Sequence, residues 1–485
     1  MCLEETGVIF NGMRCEDQQM NQSPGVKHVL RPVLIGLGLS LAMAGAALAQ
    51  WPFGRTDSAA AALTPPTPLA FPGAQGWAAA TPGGRGGQIL RVTTLAADGP
   101  GSFREAVETK GPRIIVFEVG GVVDLGGKTL TIREPFLTIA GQTAPSPGVT
   151  FIRGGIDIAT HDVIVRHIRV RPGEAGAAKK SGKDFDSIST KGISYNIIVN
   201  HCTLTWGTDE NLSASGPRFV GKTPEEWRAG TSRNITFSQN IIAESLRYSV
   251  HPKIEHSKGS LIHDNVTGIL IWGNLYAHNY ERNPMLKGGV WATIVNNLIF
   301  NPGQRAIHYN LMAEEWGANP WQIGKLVVVG NVLRGGQDTP EGLPLFMLGG
   351  YADVEFYGRD NTAVDRWGKP LRMFGRYTTT PAKIVMVKKA PFWPAGLVAI
   401  PAEQVQQWVL QNAGARPWDR DANDVQLISD VAEGRGNIID SEDDLHGYPV
   451  QKPTSRPFVD ADWNLDDVSP KRPELMDAGA RAKGT

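Results

Sequence analysis

The chain is poor in cysteine, in net charge and in long helical patterns. Its 485 residues include three cysteines, and 48 basic side chains balance 48 acidic ones. A zero net charge argues against bulk attraction to nucleic acid, so an anionic partner would have to meet a local patch of cations. Glycine and proline are abundant, with 56 and 33 residues. Together with the scarcity of helical patterns, this composition favours turn-rich β structure.

The N-terminal stretch KHVLRPVLIGLGLSLAMAGAALAQ has the three parts of a secretory signal: a basic start, an apolar run and an A-x-A cleavage pattern at residues 47–49. The apolar run is short for a bilayer and ends in small residues. We therefore expect a signal peptide over residues 1–49, a secreted protein and no stable membrane anchor. The first ~20 residues do not resemble a signal start, so Met13 or Met20 is an alternative initiator.

Cleavage at this point removes two of the three cysteines and leaves Cys202. The mature chain then has no intramolecular disulfide, although its destination is oxidising. Residues 50–70 are rich in alanine and proline, which is typical of a linker. From Phe71 onwards the chain consists of short apolar runs separated by glycine, asparagine and proline.

Six of these runs share one pattern, in which apolar residues flank a histidine or an asparagine, at intervals of 23 to 39 residues. Aligning the runs places six polar residues at one equivalent position: His167, His201, Asn240, Asn274, Asn297 and Asn331. Such repeats indicate a stacked architecture, and stacked asparagine amides can form a hydrogen-bonded ladder. We predict an all-β fold, a right-handed parallel β-helix. A β-sandwich is the alternative, but its strands should alternate apolar and polar residues, whereas LVVVGNVL is almost continuously apolar.

Later segments depart from the repeat. PAEQVQQWVLQNAGA predicts a short C-terminal helix with Pro401 near its start and Gly414 as its stop. The polar segment after it could pack over the end or side of the solenoid. Residues 336–400 give weak signals and are expected to form further loops and strands. The domain is predicted over 71–450, followed by an extended tail with little structure over 451–485.

Acidic residues occur at two predicted strand ends: Asp184 and Asp186 in KDFDSIST, and Asp209 and Glu210 in WGTDENLS. The two segments lie about one coil apart, so their carboxylates would lie on neighbouring strands. Hard oxygen ligands without histidine or cysteine suit Ca²⁺ better than zinc or copper. A pair of solvated acidic turns is the alternative.

Basic residues form two further groups: Arg247, Lys253 and Lys258 in ESLRYSVHPKIEHSKG, and Arg282 with Lys287 in ERNPMLKGG. A surface that sets acids beside several cations could hold a polyanion, with some of its carboxylates bridged by metal and others by arginine or lysine. Cys202 and His201 lie inside a predicted strand, where a small buried thiol and a ladder position are expected rather than a nucleophilic pair.

Several motifs occur in a collinear order: FPGAQGW, TPGGRGGQILRVTTLAADGPGSFREAV, IIVFEVGGVVDL, LTIAGQTAPSPGVTF, DSIS, NHCTLTWGTDE, AESLRYSVH, HSKG, RNP and NAGARPWDRDANDVQLISDV. From about Phe71 to about Asp440 the chain resembles the secreted bacterial pectate lyases of the first polysaccharide lyase family. The resemblance implies a parallel β-helix and calcium-assisted β-elimination of polygalacturonate or a related acidic glycan. We also expect the protein to be a monomer.

The resemblance also assigns roles to individual residues. It implies that Arg282 is the proton-abstracting base and that Asp186, Asp209 and Glu210 bind Ca²⁺. Lys258 matches a lysine that binds a substrate carboxylate. Among the remaining cations, Arg247 and Lys287 are predicted to bind substrate as well, with Lys287 as a companion charge to Arg282.

The chain departs from the family pattern at four places. Asn200-His201-Cys202-Thr203 stands where relatives have D-H-C-S, and Met285 stands where they have arginine. The histidine of K-G-x-H-G is missing, and residues 310–400 hold unmatched inserts. Two other functions therefore stay open: a β-helical glycoside hydrolase, which would need close catalytic carboxylates, and a non-catalytic carbohydrate-binding solenoid.

Overall fold

The computed structural model describes residues 68–253 and 255–477. The predicted signal segment and most of the predicted linker lie outside these residues. Within them, the chain winds through three parallel sheets in turn, and each coil adds one strand to each sheet. This confirms the parallel β-helix and excludes the β-sandwich, since all neighbouring strands of the coil are paired in parallel.

Strands are numbered in chain order. Sheet 1 has eleven described strands: β1 (Gln88–Val92), β2 (Arg113–Phe117), β5 (Leu137–Ala140), β8 (His161–Arg166), β11 (Tyr195–Asn200), β14 (Arg233–Ser238), β17 (Thr267–Trp272), β20 (Trp291–Val295), β23 (Gly324–Val329), β26 (Val354–Arg359) and β29 (Ile384–Met386). Sheet 2 has nine parallel strands among the same residues: β3 (Val119–Asp124), β6 (Val149–Ile152), β9 (Arg169–Arg171), β12 (Thr203–Thr205), β15 (Ile241–Ala243), β18 (Leu275–Ala277), β21 (Leu298–Phe300), β24 (Val332–Arg334) and β27 (Thr362–Val364).

Sheet 3, which carries the site, has nine strands in the described part of the chain: β4 (Leu130–Ile132), β7 (Ile156–Ile158), β10 (Ile188–Thr190), β13 (Leu212–Ala214), β16 (Leu261–Ile262), β19 (Met285–Lys287), β22 (Ile307–Leu311), β25 (Phe346–Gly350) and β28 (Phe374–Arg376). The α-helices lie outside the sheets: α1 (Phe103–Glu108), α2 (Pro224–Ala229), α3 (Ala313–Trp316), α4 (Ala402–Asn412), α5 (Ala422–Glu433) and α6 (Glu474–Asp477). None of the helices in the described residues is long and apolar enough to cross a membrane.

The continuous apolar runs are explained by burial on both sides of sheet 1. In β17, Ile269 and Ile271 point into the central core. Leu270, between them, packs outside the coil against Leu397 and the aromatic residues around it. Each such strand therefore needs apolar residues at successive positions, rather than the alternation typical of a sheet with one solvated face.

The predicted asparagine ladder is present and runs one coil further than predicted. The side-chain oxygen of Asn274 accepts hydrogen bonds from the backbone N–H (2.9 Å) and the amide (3.0 Å) of Asn240. Asn297 and Asn331 continue the pattern, and Asn361 accepts from the N–H of Asn331 at 2.9 Å. These buried amides satisfy the backbone groups that a bend would otherwise leave unpaired.

The ladder prediction was wrong for the two histidines. The pairing of β11 with β14 puts Cys202, not His201, opposite Asn240, and the backbone N–H of Cys202 donates to that asparagine at 2.8 Å. His167 and His201 stand one residue earlier, with φ of 60° and 50°, and their rings stack at 5.1 Å. Aligning residues by polarity alone shifted the register by one position, because histidine and asparagine occupy neighbouring places in the bend.

The predicted C-terminal helix is confirmed as α4, and α5 follows it where a polar packing segment was expected. Both helices cover the outer face of sheet 2, where Val405, Val409 and Leu427 are buried against its strands. Asp421 caps α5 and forms an ion pair with the buried Arg171 at 2.7 Å. Because neither charge is solvated, the loss of one side chain would leave the other charge buried without a partner. The ion pair therefore fixes the position of α5 on the coil.

The part of the C-terminal tail that is described contacts the first coils, so the expectation of little structure missed these contacts. Strand β30 (Thr454–Ser455) pairs antiparallel with β3. Phe458 and Trp463 are buried against Ile114 and Val116 of β2. A short hairpin of β31 (Trp463–Asn464) and β32 (Ser469–Pro470) follows. Residues 336–400 continue the coil with β25 to β29, as the prediction of further strands and loops anticipated.

Candidate active site

Five of the predicted site residues lie just before successive strands of sheet 3, whereas Lys287 is the last residue of β19 and Arg247 lies outside the strands. Asp186 and Glu210 each precede a strand by two residues, before β10 and β13. The backbone of Lys258 forms isolated parallel β-bridges with Glu210 on one side and with Glu281 on the other. Arg282 follows directly, just before β19. Because strands of a parallel sheet lie about 4.8 Å apart, residues that are distant in the chain form one row across the sheet.

The three predicted metal ligands come together in this row. Asp186, Asp209 and Glu210 each offer a carboxylate oxygen, and these oxygens lie within 4.8 Å of one another. Burial, together with the charge of Asp209, raises the pKa of Asp186 to about 7. Lys191 partly offsets the acidic charge, with its ammonium 3.7 Å from Asp186 and 3.7 Å from Asp157. Asp184 is exposed beside this group.

Asp209 has partners that the sequence did not reveal. His256 is hydrogen-bonded to it, and the His251 ring stacks on His256 at 3.8 Å. Burial alone would raise the pKa of Asp209, but His256 and the charge of Arg282 outweigh burial and lower it to about 2. Burial and His256 lower the pKa of His251 to about 4. The signal for His256 was present in HSKG, but only as part of the lysine motif.

Arg282 lies against the acidic cluster. Its guanidinium is hydrogen-bonded to Glu210, and burial lowers its pKa while the charges of Asp209 and Asp186 oppose the shift. Its φ of 64° is left-handed, although bends of this coil use such conformations repeatedly. Gly259 of the neighbouring coil leaves room for this backbone, because a Cβ there would be 2.5 Å from the Arg282 carbonyl oxygen.

Each of the predicted substrate-binding cations is paired with a glutamate of the chain itself. Lys258 contacts Glu281, Arg247 contacts Glu255, and Lys287 contacts Glu315. Burial lowers the pKa of Lys258, and Glu281 opposes this shift. None of these three partners was predicted, because each lies in a different turn or on a different coil.

Two further residues next to Arg282 were missed. Arg305 forms an ion pair with Glu281 at 3.1 Å, and its guanidinium lies over the Tyr377 ring at 4.5 Å. Both side chains belong to segments without a recognisable motif, and Tyr377 lies among the inserts. Cys202 is buried in the core, as expected, and burial raises its pKa to about 12, which suits a structural thiol and not a nucleophile.

The donor set fits a hard divalent cation. Oxygens bound to one Ca²⁺ at about 2.3–2.6 Å lie at most about 5 Å apart, and the three carboxylate oxygens meet this limit at 4.8 Å. Asp209 also belongs to a second possible group with His251 and His256. However, nearly parallel imidazole rings cannot both direct their in-plane lone pairs at one ion, so the all-oxygen group fits better.

Fold and site together define a parallel β-helix protein with a row of buried and partly buried carboxylates and cations on one sheet. The chain is 32% identical over 406 residues to the probable pectate lyase C of Emericella nidulans, covering 82% of this chain and 85% of that protein. It is 30% identical over 416 residues to the protein of the same name from Aspergillus flavus, covering 82% and 86%. The chain belongs to the pectate lyase family.

No family model matches the chain. Among solved structures, it resembles the crystal structure of jun a 1, the major allergen from cedar pollen, with a TM-score of 0.50 and 15% identity over 70% of this chain and 92% of that one. This similarity supports the fold alone. The two relatives named above are fungal, whereas the sequence motifs resemble those of bacterial enzymes.

Proposed function

We propose that this protein is a secreted, monomeric pectate lyase of the first polysaccharide lyase family, which cleaves polygalacturonate by calcium-assisted β-elimination. The observation that carries the proposal is the position of Arg282 beside three carboxylates whose oxygens lie within 4.8 Å of one another. Abstraction of a proton next to a carboxylate requires a base near that proton and positive charge beside the carboxylate, and Arg282 with the neighbouring acidic ligand set supports both roles.

The residues act on a uronate as follows. Arg282 takes the proton from C5, and the electron pair of the C5–H bond forms the double bond between C4 and C5. The C4–O bond breaks, its electron pair leaves with the oxygen of the departing glycan, and this oxygen takes up a proton from water. Negative charge develops on the uronate carboxylate during this step, and preorganised cations close to it lower the barrier. Ca²⁺ bound by Asp186, Asp209 and Glu210 would supply Lewis-acid stabilisation of that charge.

Arginine is a strong base only when its guanidinium is neutral. Burial shifts the pKa of Arg282 in the required direction. Before it can take a proton, Arg282 has to release Glu210, and metal binding by that glutamate would favour the release. His256 holds Asp209 in place for the metal through its hydrogen bond.

Two of the predicted cations could bind neighbouring uronate carboxylates by exchange. Lys258 and Arg247 each hold a glutamate now, and a substrate carboxylate offers the same charge and geometry. Both also lie near the same aromatic ring: the centroid of Tyr280 is 5.7 Å from Nζ of Lys258 and 4.5 Å from Cζ of Arg247. Lys287 could do the same only if Glu315 left it.

A glycoside hydrolase is the second candidate, since one specific observation favours it. The environments of Asp186 and Asp209 push their pKa values apart, to about 7 and about 2. Two carboxylates with separated pKa values are what an acid and a nucleophile or base require. This reading gives Arg282 no role in the chemistry.

The test is the ultraviolet absorbance of polygalacturonate incubated with the protein, with Ca²⁺ and again with EDTA. We expect a Ca²⁺-dependent rise from unsaturated ends, which Arg282→Ala abolishes. Arg366→Ala, which changes an exposed arginine next to Trp367, is the matched control and should keep full activity. New reducing ends without absorbance would support the hydrolase, and no cleavage of any uronate polymer would support a binding solenoid.

A further inference from the structure

A cavity of about 690 Å³ lies between helix α5 and the segment of residues 445–450. This volume is within the range of small-molecule sites in proteins. Asn423, Gln426 and Asp430 of α5 line one wall, and their spacing places them on one face of the helix. None of the described residues that line the cavity belongs to the candidate active site, so the cavity needs an explanation of its own.

The walls of this cavity are fixed by contacts with the coil. The hydroxyl of Tyr448 accepts a hydrogen bond from the backbone N–H of Ala175 at 3.0 Å and donates one to the carbonyl of Pro172 at 2.7 Å. The Tyr448 ring packs edge-on against Trp206, with 6.0 Å between the ring centroids. On the other side, α5 is held by the ion pair of its capping residue. A preformed cavity binds a ligand without the cost of ordering its walls.

Glu244 lines the same cavity and directly follows β15. Only 9% of this residue is exposed, yet among the described residues no cation forms an ion pair with its carboxylate. Arg171, whose charge acts on Glu244, is paired instead with Asp421 at 2.7 Å and with Asp424 at 2.8 Å. The nearby indole N–H of Trp206 makes no hydrogen bond of normal geometry. Glu244 is thus a buried acid without a partner, which is costly once it is charged.

The charges around the cavity favour a cationic ligand. The described lining contains the carboxylates of Glu244 and Asp430 but neither lysine nor arginine. Asp430 already has partners, since it lies 3.1 Å from Arg435 and accepts a hydrogen bond from the Gln426 amide at 2.9 Å. Glu244 is therefore the carboxylate that a ligand would neutralise.

The titration of Glu244 agrees with this geometry. Burial raises its pKa to about 7; Arg171 and Trp206 oppose this shift, whereas Asp424 and Asp430 add to it. A cation bound at the carboxylate would stabilise the charged form. No group of three possible metal ligands in the described part of the chain includes Glu244. An organic cation, whose body can fill the cavity, therefore fits better than a metal ion.

We propose that this cavity is a binding site for a small organic ammonium ion, held by an ion pair between its ammonium group and Glu244. The body of the ligand lies between α5 and the opposite wall, where Leu445, Tyr448 and Pro449 offer apolar surface. Binding exchanges the proton of Glu244 for the ammonium ion. The site is independent of the proposed lyase activity, because it uses neither the carboxylates nor the cations of sheet 3.

The test compares three probes that share one aromatic body: phenethylammonium, phenethyl alcohol and phenylacetate. Each probe is titrated calorimetrically into the full-length protein at about pH 8 in amine-free buffer. We expect phenethylammonium to bind with a Kd below about 1 mM, and about tenfold or more tightly than the alcohol, because it alone forms a charge-assisted pair. The proposal is overturned if none of the probes binds, or if the alcohol or phenylacetate binds as tightly as the ammonium ion.

Three variants locate the bound ion. Glu244→Gln keeps the size of the side chain but not its charge, and should weaken the binding of phenethylammonium by about tenfold or more. Glu433→Gln, which changes an exposed glutamate of the same helix, is the matched control and should bind like the natural protein. Asn423→Trp fills the cavity and leaves Glu244 in place, so it should abolish binding; it decides the question if Glu244→Gln does not fold. Unchanged binding in either cavity variant contradicts the proposal.

The pH dependence assigns the effect to Glu244. An alkylammonium ion stays charged between about pH 5.5 and 8, whereas Glu244, with a pKa of about 7, loses its proton in this range. The affinity of the natural protein for phenethylammonium should therefore rise about 30-fold from the lower to the higher pH. Glu244→Gln should remove this rise. His446 also lines the cavity, so a rise that persists in Glu244→Gln would refute the ion pair with Glu244.

Discussion

Lys191 offers the sharpest test of where a calcium ion binds. Its ammonium lies 3.7 Å from Asp186 and 3.7 Å from Asp157, and the side chain is half exposed at 48%. A cation at this position competes with any metal bound to Asp186. Lys191→Met removes the charge but keeps a chain of similar length, so we expect it to strengthen Ca²⁺ binding.

The magnitude follows from Coulomb's law. Ca²⁺ bound to Asp186 at about 2.4 Å would lie roughly 6 Å from the ammonium. Charges of two and one at this distance repel by about 1–2 kcal/mol when the effective dielectric constant is close to that of water, as the exposure of Lys191 requires. The dissociation constant of Ca²⁺ should therefore fall by about 5- to 30-fold.

The assay is a calorimetric titration of calcium-stripped protein at about pH 8.5, where protons no longer compete for the carboxylates. The pH matters because Asp186 has a pKa of about 7, and Lys191 is one of the groups that hold this pKa down. Lys369→Met, at an exposed position between β27 and β28, controls for the loss of one positive charge. If Lys191→Met binds Ca²⁺ no better than this control, the metal does not bind at Asp186.

Two further predictions concern stability. Asn274→Ala should lower the free energy of unfolding by about 3–5 kcal/mol, because it leaves the buried backbone N–H of Asn240 without its acceptor and the buried carbonyl of Phe237 without the amide that donates to it. Asn361→Ala, at the partly exposed end of the ladder, should lower the free energy of unfolding by about 1 kcal/mol. Urea unfolding measures both variants, and an equal loss of stability in the two would contradict this reasoning. Burial raises the pKa of Glu244 from 4.5 to about 7, so the folded protein holds this proton more tightly than the unfolded chain. Stability should therefore fall by up to about 3 kcal/mol as the pH rises from about 4.5 to 7, and Glu244→Gln should flatten this dependence in thermal melts across that range.

Much of the coil could be predicted, since its signals are local. Each strand is a short apolar run, and each ladder asparagine follows a run at the same place in the bend. The register at His201 was missed because it depends on the pairing of two strands and not on the order of polar residues. Helix α5 was missed because its buried face is small and its capping residue Asp421 is held by Arg171, far away in the chain.

The acidic half of the site could also be predicted, since Asp186 and Asp209 lie one coil apart and a coil brings its ends to neighbouring strands. The partners of the cations could not. Lys287 contacts Glu315 because an irregular excursion of the chain folds back over sheet 3. The sequence has no periodicity that predicts where such an excursion ends. The same applies to His251, whose ring reaches His256 through an irregular turn.

By itself, the sequence determined the repeating coil and the residue types at the ends of its strands. These features depend on hydrophobic periodicity and on residue spacing, both of which can be counted along the chain. Only the tertiary structure decided which carboxylate neutralises which cation. Electrostatic pairing depends on distances of a few ångströms between segments that loops of unequal length bring together.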